Sequence, residues 1–298
     1  MNKEKNEQSV TRKLPAWLKR PLPKGEKFQH VTRVLEKLHL NTVCSSASCP
    51  NRGECFSHGT ATFMIMGDVC TRNCQFCGVS HGPASPLDDL EPEHLALAVK
   101  ELQLRHIVIT SVTRDDLPDG GADHFARTIR AVQRHNPQVT IEVLTPDFRG
   151  DVASLQTVYK AGPDVFNHNI ETCQRLTGQI RSGADYDRSL GVLRYMAARD
   201  KPPTIKSGFM LGLGETPVEI EQMLRDLRGA GVNMITIGQY LRPGKNNHDV
   251  VKFYPPEEFD QIKQQAGKMG FTHVAAGPFV RSSYHAEINL HKSGHSLK

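Results

Sequence analysis

From residue 62 onward, short apolar or β-branched runs alternate with longer segments in which apolar residues recur every three or four positions. Short apolar runs bounded by turn residues mark buried strands, and the 3.6-residue period marks helices. Strands are predicted over 62–67, 105–112, 139–144, 165–170, 204–211, 234–241 and 273–276, and helices over 92–102, 122–135, 152–161, 186–199, 217–230 and 256–269. Leu95, Leu97, Ala98 and Leu102 supply the apolar positions of the first helix, and Pro92 sits in its first turn, where a missing N–H is harmless. Thr216 offers a capping oxygen to the helix it precedes, and Gly231 and Gly270 stand where two helices should stop.

Strand–helix alternation with connections of this length forms a parallel sheet. Six such units ahead of a last strand suit an α/β fold built as an incomplete (β/α)6 barrel of the TIM type, with a doubly wound sheet as the alternative. The barrel then occupies residues 62–276, while 1–61 and 277–298 form N-terminal and C-terminal extensions that cover it. In such barrels the chemistry gathers at the C-terminal ends of the strands, so the residues just after each strand are site candidates.

The loop after the first of these strands carries Cys70, Cys74 and Cys77 as Cys-x3-Cys-x2-Cys, with Phe76 and Gly78 flanking the last. Iron–sulfur cubes are usually held by four thiolates, so a tight run of three leaves one iron open to a small molecule. The other reading is a structural zinc knuckle, which needs a fourth soft ligand at short spacing. No cysteine follows Cys77 before Cys173. Upstream, Cys44, Cys49 and Cys55 form Cys-x4-Cys-x5-Cys, so six of the seven cysteines fall between residues 44 and 77. A disulfide framework would suit a short secreted chain, whereas 298 residues do not depend on such staples. Cys173 has no partner in either run and reads as a small buried side chain. The upstream run also lacks a local fourth cysteine. Near the other end stand Gly277-Pro278-Phe279-Val280 and Arg281-Ser282-Ser283-Tyr284-His285-Ala286, in which the serine pair alone would read as a polar turn or helix cap.

The Cys70–Cys77 spacing with its aromatic residue resembles the signature of the radical S-adenosylmethionine (radical SAM) superfamily. The two cysteine runs and the Arg-Ser-Ser-Tyr segment together resemble the lipoyl synthase family, from Pro15-Ala16-Trp17-Leu18-Lys19 to Ala286. The resemblance implies two [4Fe–4S] clusters and S-adenosylmethionine as cofactors. It assigns Cys70, Cys74 and Cys77 to the cluster whose free iron chelates S-adenosylmethionine, and Cys44, Cys49, Cys55 and Ser283 to an auxiliary cluster. It implies a 5′-deoxyadenosyl radical that takes hydrogen from carbon 6 and carbon 8 of an octanoyl group. That group sits on a lysine of a lipoyl carrier protein or of the lipoyl domain of a 2-oxoacid dehydrogenase complex, and the auxiliary cluster is its sulfur donor. A serine oxygen is a hard donor among soft thiolates, so the iron it binds should be the easiest to lose, which suits a cluster that gives up sulfur.

Further candidates stand at the C-terminal ends of the predicted strands. Gly120 and Gly121, after the second strand, resemble the glycine pair whose backbone meets the methionine amine, and serve equally well as a turn that starts a helix. Asn169 and Glu171 end the fourth strand where ribose or methionine groups would sit, and Lys206 on the fifth is read as pointing to the same cavity. His168 alternates with them and reads as a packed histidine. Tyr240 and Arg242, closing the sixth strand, are candidates for contact with adenine or a partner. Gly212-Leu213-Gly214 is not a phosphate loop, since no Gly-Lys-Ser/Thr follows.

Charge narrows the partners. The 37 basic and 32 acidic residues leave a mild +5, and aromatic residues make up 6%, without the basic–aromatic clusters of a nucleic-acid enzyme. A modest positive field suits an acidic protein domain. No apolar run approaches membrane-spanning length, and residues 1–11 are polar with Glu4 and Glu7, unlike a targeting peptide. The expectation is a cytoplasmic enzyme with neither nucleic-acid nor membrane partners. The resemblance adds an electron donor such as ferredoxin or flavodoxin, and an iron–sulfur carrier that rebuilds the spent cluster. The competing functions are another cluster-consuming sulfur inserter, a methylthiolating enzyme acting on RNA, and a two-cluster electron carrier, which would release no 5′-deoxyadenosine.

Overall fold

The structure, a computed structural model, describes residues 15–18, 25–47, 49–57 and 61–283. It begins with a 3-10 turn at Ala16–Leu18, helix α1 (Glu26–Lys37), strand β1 (Asn41–Thr42) and the short helices α2 (Val43–Ser46) and α3 (Arg52–Ser57). Strand β2 (Thr62–Ile65) follows, then β3 (Val69–Cys70) and β4 (Ser80–His81), which pair with each other as a small clasp. The chain continues through α4 (Glu91–Glu101), β5 (His106–Ser111), α5 (Ala122–His135), β6 (Thr140–Leu144), α6 (Val152–Ala161), β7 (Val165–Asn167) and α7 (Gln174–Ile180). The remaining elements are α8 (Tyr186–Ala197), β8 (Thr204–Leu211), α9 (Pro217–Gly229), β9 (Met234–Gln239), α10 (Pro256–Lys268) and β10 (His273–Gly277).

Among the described residues the main sheet runs β1-β2-β5-β6-β7-β8-β9-β10, with every pair parallel except β1 on β2. A doubly wound sheet reverses its strand order part-way. This one advances in a single direction, which makes it an incomplete TIM-type barrel. The strands have two unlike faces. Ile107, Ile109, Ile141, Val143, Ile205, Ile235 and Ile237 are at most 1% exposed and share one core with Leu95, Val99, Phe125 and Ile129 of the surrounding helices. Each such side chain contributes roughly 1.5–3 kcal/mol. The alternate residues, among them His106, Glu142, Asn167, Lys206 and Thr236, belong to the opposite, inner face, and these too are buried. With both faces covered, the strands read as the short apolar runs seen in the sequence.

Thr216 does cap α9, and Glu219 returns a bond to its backbone to complete a capping box. Two elements depart from expectation. The segment that became α7 carries Gly178 in its interior and spans only seven residues, too weak a period to read as a helix. Strand β7 stops at Asn167 because the chain turns away; Glu171 adopts a left-handed φ of 64° and rejoins β8 only through a single bridge to Phe209.

Both extensions reach the barrel. Strand β1 lengthens the sheet beyond β2, and Phe28 of α1 meets Phe56 of α3 at 5.4 Å between ring centroids. At the other end, the segment after β10 crosses β9 at Gly238, where an added Cβ would lie 2.1 Å from the Val280 carbonyl oxygen. Only glycine permits that crossing. Tyr284, His285 and Ala286 of the predicted motif, like residues 1–14 and 58–60 of the predicted extension, lie outside the described residues. Among the described residues no helix is long and apolar enough to cross a membrane.

Candidate active site

The downstream cysteine loop is fixed from several sides. The β3–β4 clasp closes it, and Thr71 N–H and Oγ1 both donate to the Thr113 carbonyl, at 3.0 and 2.8 Å. Arg72 reaches Asp115 at 2.6 Å and Asp147 at 2.8 Å. Gln75 N–H donates to the Ile180 carbonyl at 2.8 Å, and Asn247 Nδ2 donates to the Cys77 carbonyl at 2.9 Å. Backbone amides also face the sulfurs. Cys70 Sγ accepts from Arg72 N at 3.4 Å and Thr113 N at 3.3 Å, and Cys77 Sγ accepts from Val79 N at 3.4 Å. Such donors stabilise thiolates bound to a cluster and tune its potential. Without metal, burial pushes the Cys74 thiol up to about 12 and that of Cys77 to about 11, so metal binding here must displace protons. The buried Arg181, beside Cys74 and Glu171, offsets part of that shift. Nothing in the sequence marks Arg181, which follows the unforeseen α7.

The upstream cysteines sit in and beside tight turns. Thr42 Oγ1 caps α2 at Ser45 N, Cys49 N–H donates to the Cys44 carbonyl at 3.1 Å, and Cys55 N–H to the Asn51 carbonyl at 2.9 Å. Burial raises the Cys44 thiol, and hydrogen bonds from Thr62 pull against that rise. The distant serine segment is tied in twice. Asn51 Nδ2 donates to the Phe279 carbonyl at 2.7 Å, and Thr62 Oγ1 donates to Ser283 Oγ at 2.7 Å.

The upstream set and one end of the downstream loop share one cavity of about 780 Å³, lined by Cys44, Cys49, Cys55 and Ser283, by Phe76, Cys77 and Gly78, and by Asn169 and Glu171, while Cys70 and Cys74 lie off its wall. The volume lies in the range of small-molecule sites, ~300–1,000 Å³. Gly78 of one loop packs against Ala47 of the other. Asn169 Nδ2 donates to Glu171 Oε1 at 3.0 Å and to Ser282 Oγ at 2.6 Å, while its buried Oδ1 has no partner. Burial pushes the Glu171 carboxyl up, against Arg181 and Asn169. An unpartnered amide oxygen beside a strained acid is what a polar ligand would complete. Three thiols in one loop, with amide donors on Cys70 and Cys77, and three upstream thiols with a serine hydroxyl fit two iron–sulfur clusters by donor chemistry.

Besides Cys70 and Cys74, three expected residues do not line this cavity: Gly120, Gly121 and Lys206. Gly120 and Gly121 form the turn into α5. Gly120 N–H donates to the Leu117 carbonyl and Gly121 N–H to Asp119 Oδ1, and at Gly121, with φ 88°, a Cβ would lie 2.3 Å from Met66 Sδ. Lys206 is corrected outright: its Nζ lies 2.8 and 3.0 Å from the two oxygens of Glu142, both side chains are about 1% exposed, and its charge is used inside the sheet. Burial alone would raise the Glu142 carboxyl, yet Lys206 and His106 hold it down at about 2. His168 is the packed residue expected, with Nδ1 2.9 Å from the Thr145 carbonyl; burial lowers it to about 4 and keeps it neutral. Cys173 is buried at 3% exposure. Tyr240 and Arg242 line the cavity, but the Tyr240 hydroxyl donates to the His248 carbonyl at 2.7 Å and Arg242 pairs with Asp249.

Comparison with known proteins agrees with this geometry. The radical SAM superfamily profile matches residues 64–227, and that of the N-terminal domain of lipoyl synthase of the radical SAM family matches residues 1–49. A lipoyl synthase of Pseudoalteromonas translucida (strain TAC 125) is 53% identical over 286 residues, covering 95% of this chain and 88% of that protein. One from Aeromonas salmonicida (strain A449) is 52% identical over 283 residues, covering 94% and 86%. Among solved structures, Streptococcus suis SuiB bound to its precursor peptide SuiA superposes with a TM-score of 0.57 at 10% identity, over 76% of this chain and 52% of that one. That likeness concerns the fold alone.

Proposed function

Because the chain belongs to the lipoyl synthase family of radical SAM enzymes, we propose that it inserts two sulfur atoms, at carbon 6 and carbon 8, into an octanoyl group on a lysine of a lipoyl carrier protein or domain. The observation that carries the reading is the cavity that Cys44, Cys49, Cys55 and Ser283 share with Cys77 of the downstream loop. Cys70, Cys74 and Cys77 hold the cluster that binds S-adenosylmethionine, and Cys44, Cys49, Cys55 and Ser283 hold the cluster that gives up sulfur. When bound, these groups supply a 5′-deoxyadenosyl radical, able to take hydrogen from unactivated carbon, and the sulfur that replaces it.

The chain's own residues position and shield. Val43, Val108, Leu144 and Phe209 give the cavity an apolar wall suited to an alkyl chain, and they exclude water from a reactive carbon. Asn169 and Glu171 present polar groups to S-adenosylmethionine at the end of β7. Residues 1–61 and 277–298 bring ligands to a barrel of residues 62–276. A ferredoxin or flavodoxin type of donor supplies the electrons, and an iron–sulfur carrier restores the consumed cluster. The test is mass spectrometry of an octanoylated carrier peptide after anaerobic incubation of the reconstituted protein with S-adenosylmethionine and a reductant. The expected product has gained two sulfur atoms; 5′-deoxyadenosine without sulfur gain would overturn the assignment of substrate.

A further inference from the structure

We infer that Thr62 is the positioning residue of the serine corner: its hydroxyl holds Ser283 Oγ beside Cys44 and governs how firmly that corner keeps its iron. The inference rests on the reading of Ser283 as a ligand. Thr62 opens β2, is 6% exposed and lines the cavity between the two segments. Its Oγ1 donates to Ser283 Oγ at 2.7 Å across 221 positions of sequence, and its backbone and hydroxyl also face the Cys44 thiol. The three upstream cysteines sit in and beside local backbone turns, whereas Ser283 belongs to a separate segment. Three bonds that tie this segment down run from Asn51 to Phe279, from Asn169 to Ser282 and from Thr62 to Ser283, and the last of them is made to the proposed ligand atom itself.

A hydroxyl has one proton to donate. Given to Ser283 Oγ, at 2.7 Å, and not to the Cys44 sulfur, which keeps the Thr62 backbone as donor, it leaves that oxygen free to lose its own proton to solvent or base on ligation, and it stabilises the anionic oxygen that results. Partners of this kind typically change metal affinity by about 10–100-fold. The threonine is also suited to its place by shape, because a β-branched residue fits a buried strand whether or not it carries a hydroxyl.

The experiment uses the anaerobically reconstituted full chain and follows iron released to a chelator, with electron paramagnetic resonance reporting the three-iron form left behind. Thr62→Val keeps the shape without the hydroxyl, Thr62→Ala lacks both, and Thr62→Ser keeps the hydroxyl. Thr62→Val and Thr62→Ala should each lose one iron at least ~10-fold faster than the wild type, with S-adenosylmethionine cleavage intact and Thr62→Ser restoring retention. The inference is overturned by wild-type iron retention in Thr62→Val, by divergence of the Val and Ala variants, or by failure of the serine to rescue. Ser283→Ala, run in parallel, separates the two readings. Faster loss in Ser283→Ala with none in Thr62→Val removes the Thr62 inference alone, and unchanged loss in Ser283→Ala removes both.

Discussion

Replacing Lys206 by Met should destabilise the protein without touching its affinity for S-adenosylmethionine. The ammonium lies 2.8 and 3.0 Å from the two oxygens of Glu142, with Asn167 Nδ2 at 3.1 Å as a further donor and His106 at 3.6 Å. Removing it strands a carboxylate in the sheet interior, and breaking one side of a buried pair costs about 3–5 kcal/mol. A second route gives a similar figure. Glu142 is held at about 2 against an ordinary 4.5, and that gap is worth about 3 kcal/mol at roughly 1.4 kcal/mol per decade. A folded-state carboxyl below its unfolded value adds stability that is complete above about pH 4.5 and is lost as pH falls toward 2. The deficit of Lys206→Met should therefore be large at neutral pH and shrink on acidification. The assay is the unfolding midpoint in heat or urea across that range, with S-adenosylmethionine binding measured alongside. At roughly 2–4 °C per kcal/mol the expected fall at neutral pH is about 10 °C. Lys206→Met with Glu142→Gln should recover much of it, since no unpaired charge remains. A wild-type midpoint joined to weakened S-adenosylmethionine binding would refute the reasoning and return Lys206 to the cofactor site.

Changing Cys70, Cys74 and Cys77 to Ala should abolish 5′-deoxyadenosine while about four irons remain on the chain; residual cleavage would move the radical cluster elsewhere. Ser283→Ala should lower iron retention and sulfur insertion, and Ser283→Cys should keep the iron but slow insertion, because a fourth thiolate grips more tightly. Iron counting with single-turnover product analysis decides this, and wild-type behaviour in both variants would make Ser283 an ordinary turn residue. His168, held neutral near 4 against an ordinary 6.5, should contribute stability that is complete above pH 6.5 and falls by about 3 kcal/mol as pH drops to 4. His168→Gln should flatten that part of the urea midpoint against pH, and an unchanged slope would mean that the histidine protonates in the folded state.

The barrel was legible because burial on both faces of each strand writes itself into local composition. Helices such as α5 and α6 were predicted residue for residue, since eight of the fourteen α5 positions are buried at helical spacing. The cysteine loop was legible because metal ligands need short spacings. What stayed hidden was non-local. Lys206 and Glu142 lie 64 residues apart, and nothing near Lys206 shows that a carboxylate waits on β6. Thr62 looked like the first residue of a strand, and its partner stands 221 positions away. Arg181 became visible only when α7 placed it beside Cys74.

The two cysteine sets differ in construction as the proposed chemistry requires them to differ in fate. The radical set spans eight residues, the Cys70 and Cys77 sulfurs accept amide hydrogen bonds, and its loop is anchored to Thr113, Ile180 and Asn247, which belong to the barrel and its loops. None of those anchors involves the C-terminal segment, so movement of that segment leaves the loop in place. The auxiliary set takes its fourth proposed ligand from a segment that Asn51, Asn169 and Thr62 each meet through one hydrogen bond, among its contacts. Each such bond is worth about 1 kcal/mol net, small enough to be broken and remade in a catalytic cycle. One of the three is donated by Asn169, which also donates to Glu171 at the end of the cavity proposed for S-adenosylmethionine. Occupation of that end and retention of the labile corner therefore draw on the same amide. The radical set is thus built within one loop of the barrel, whereas the auxiliary set is completed, on the proposed reading, by a residue from a segment distant in sequence.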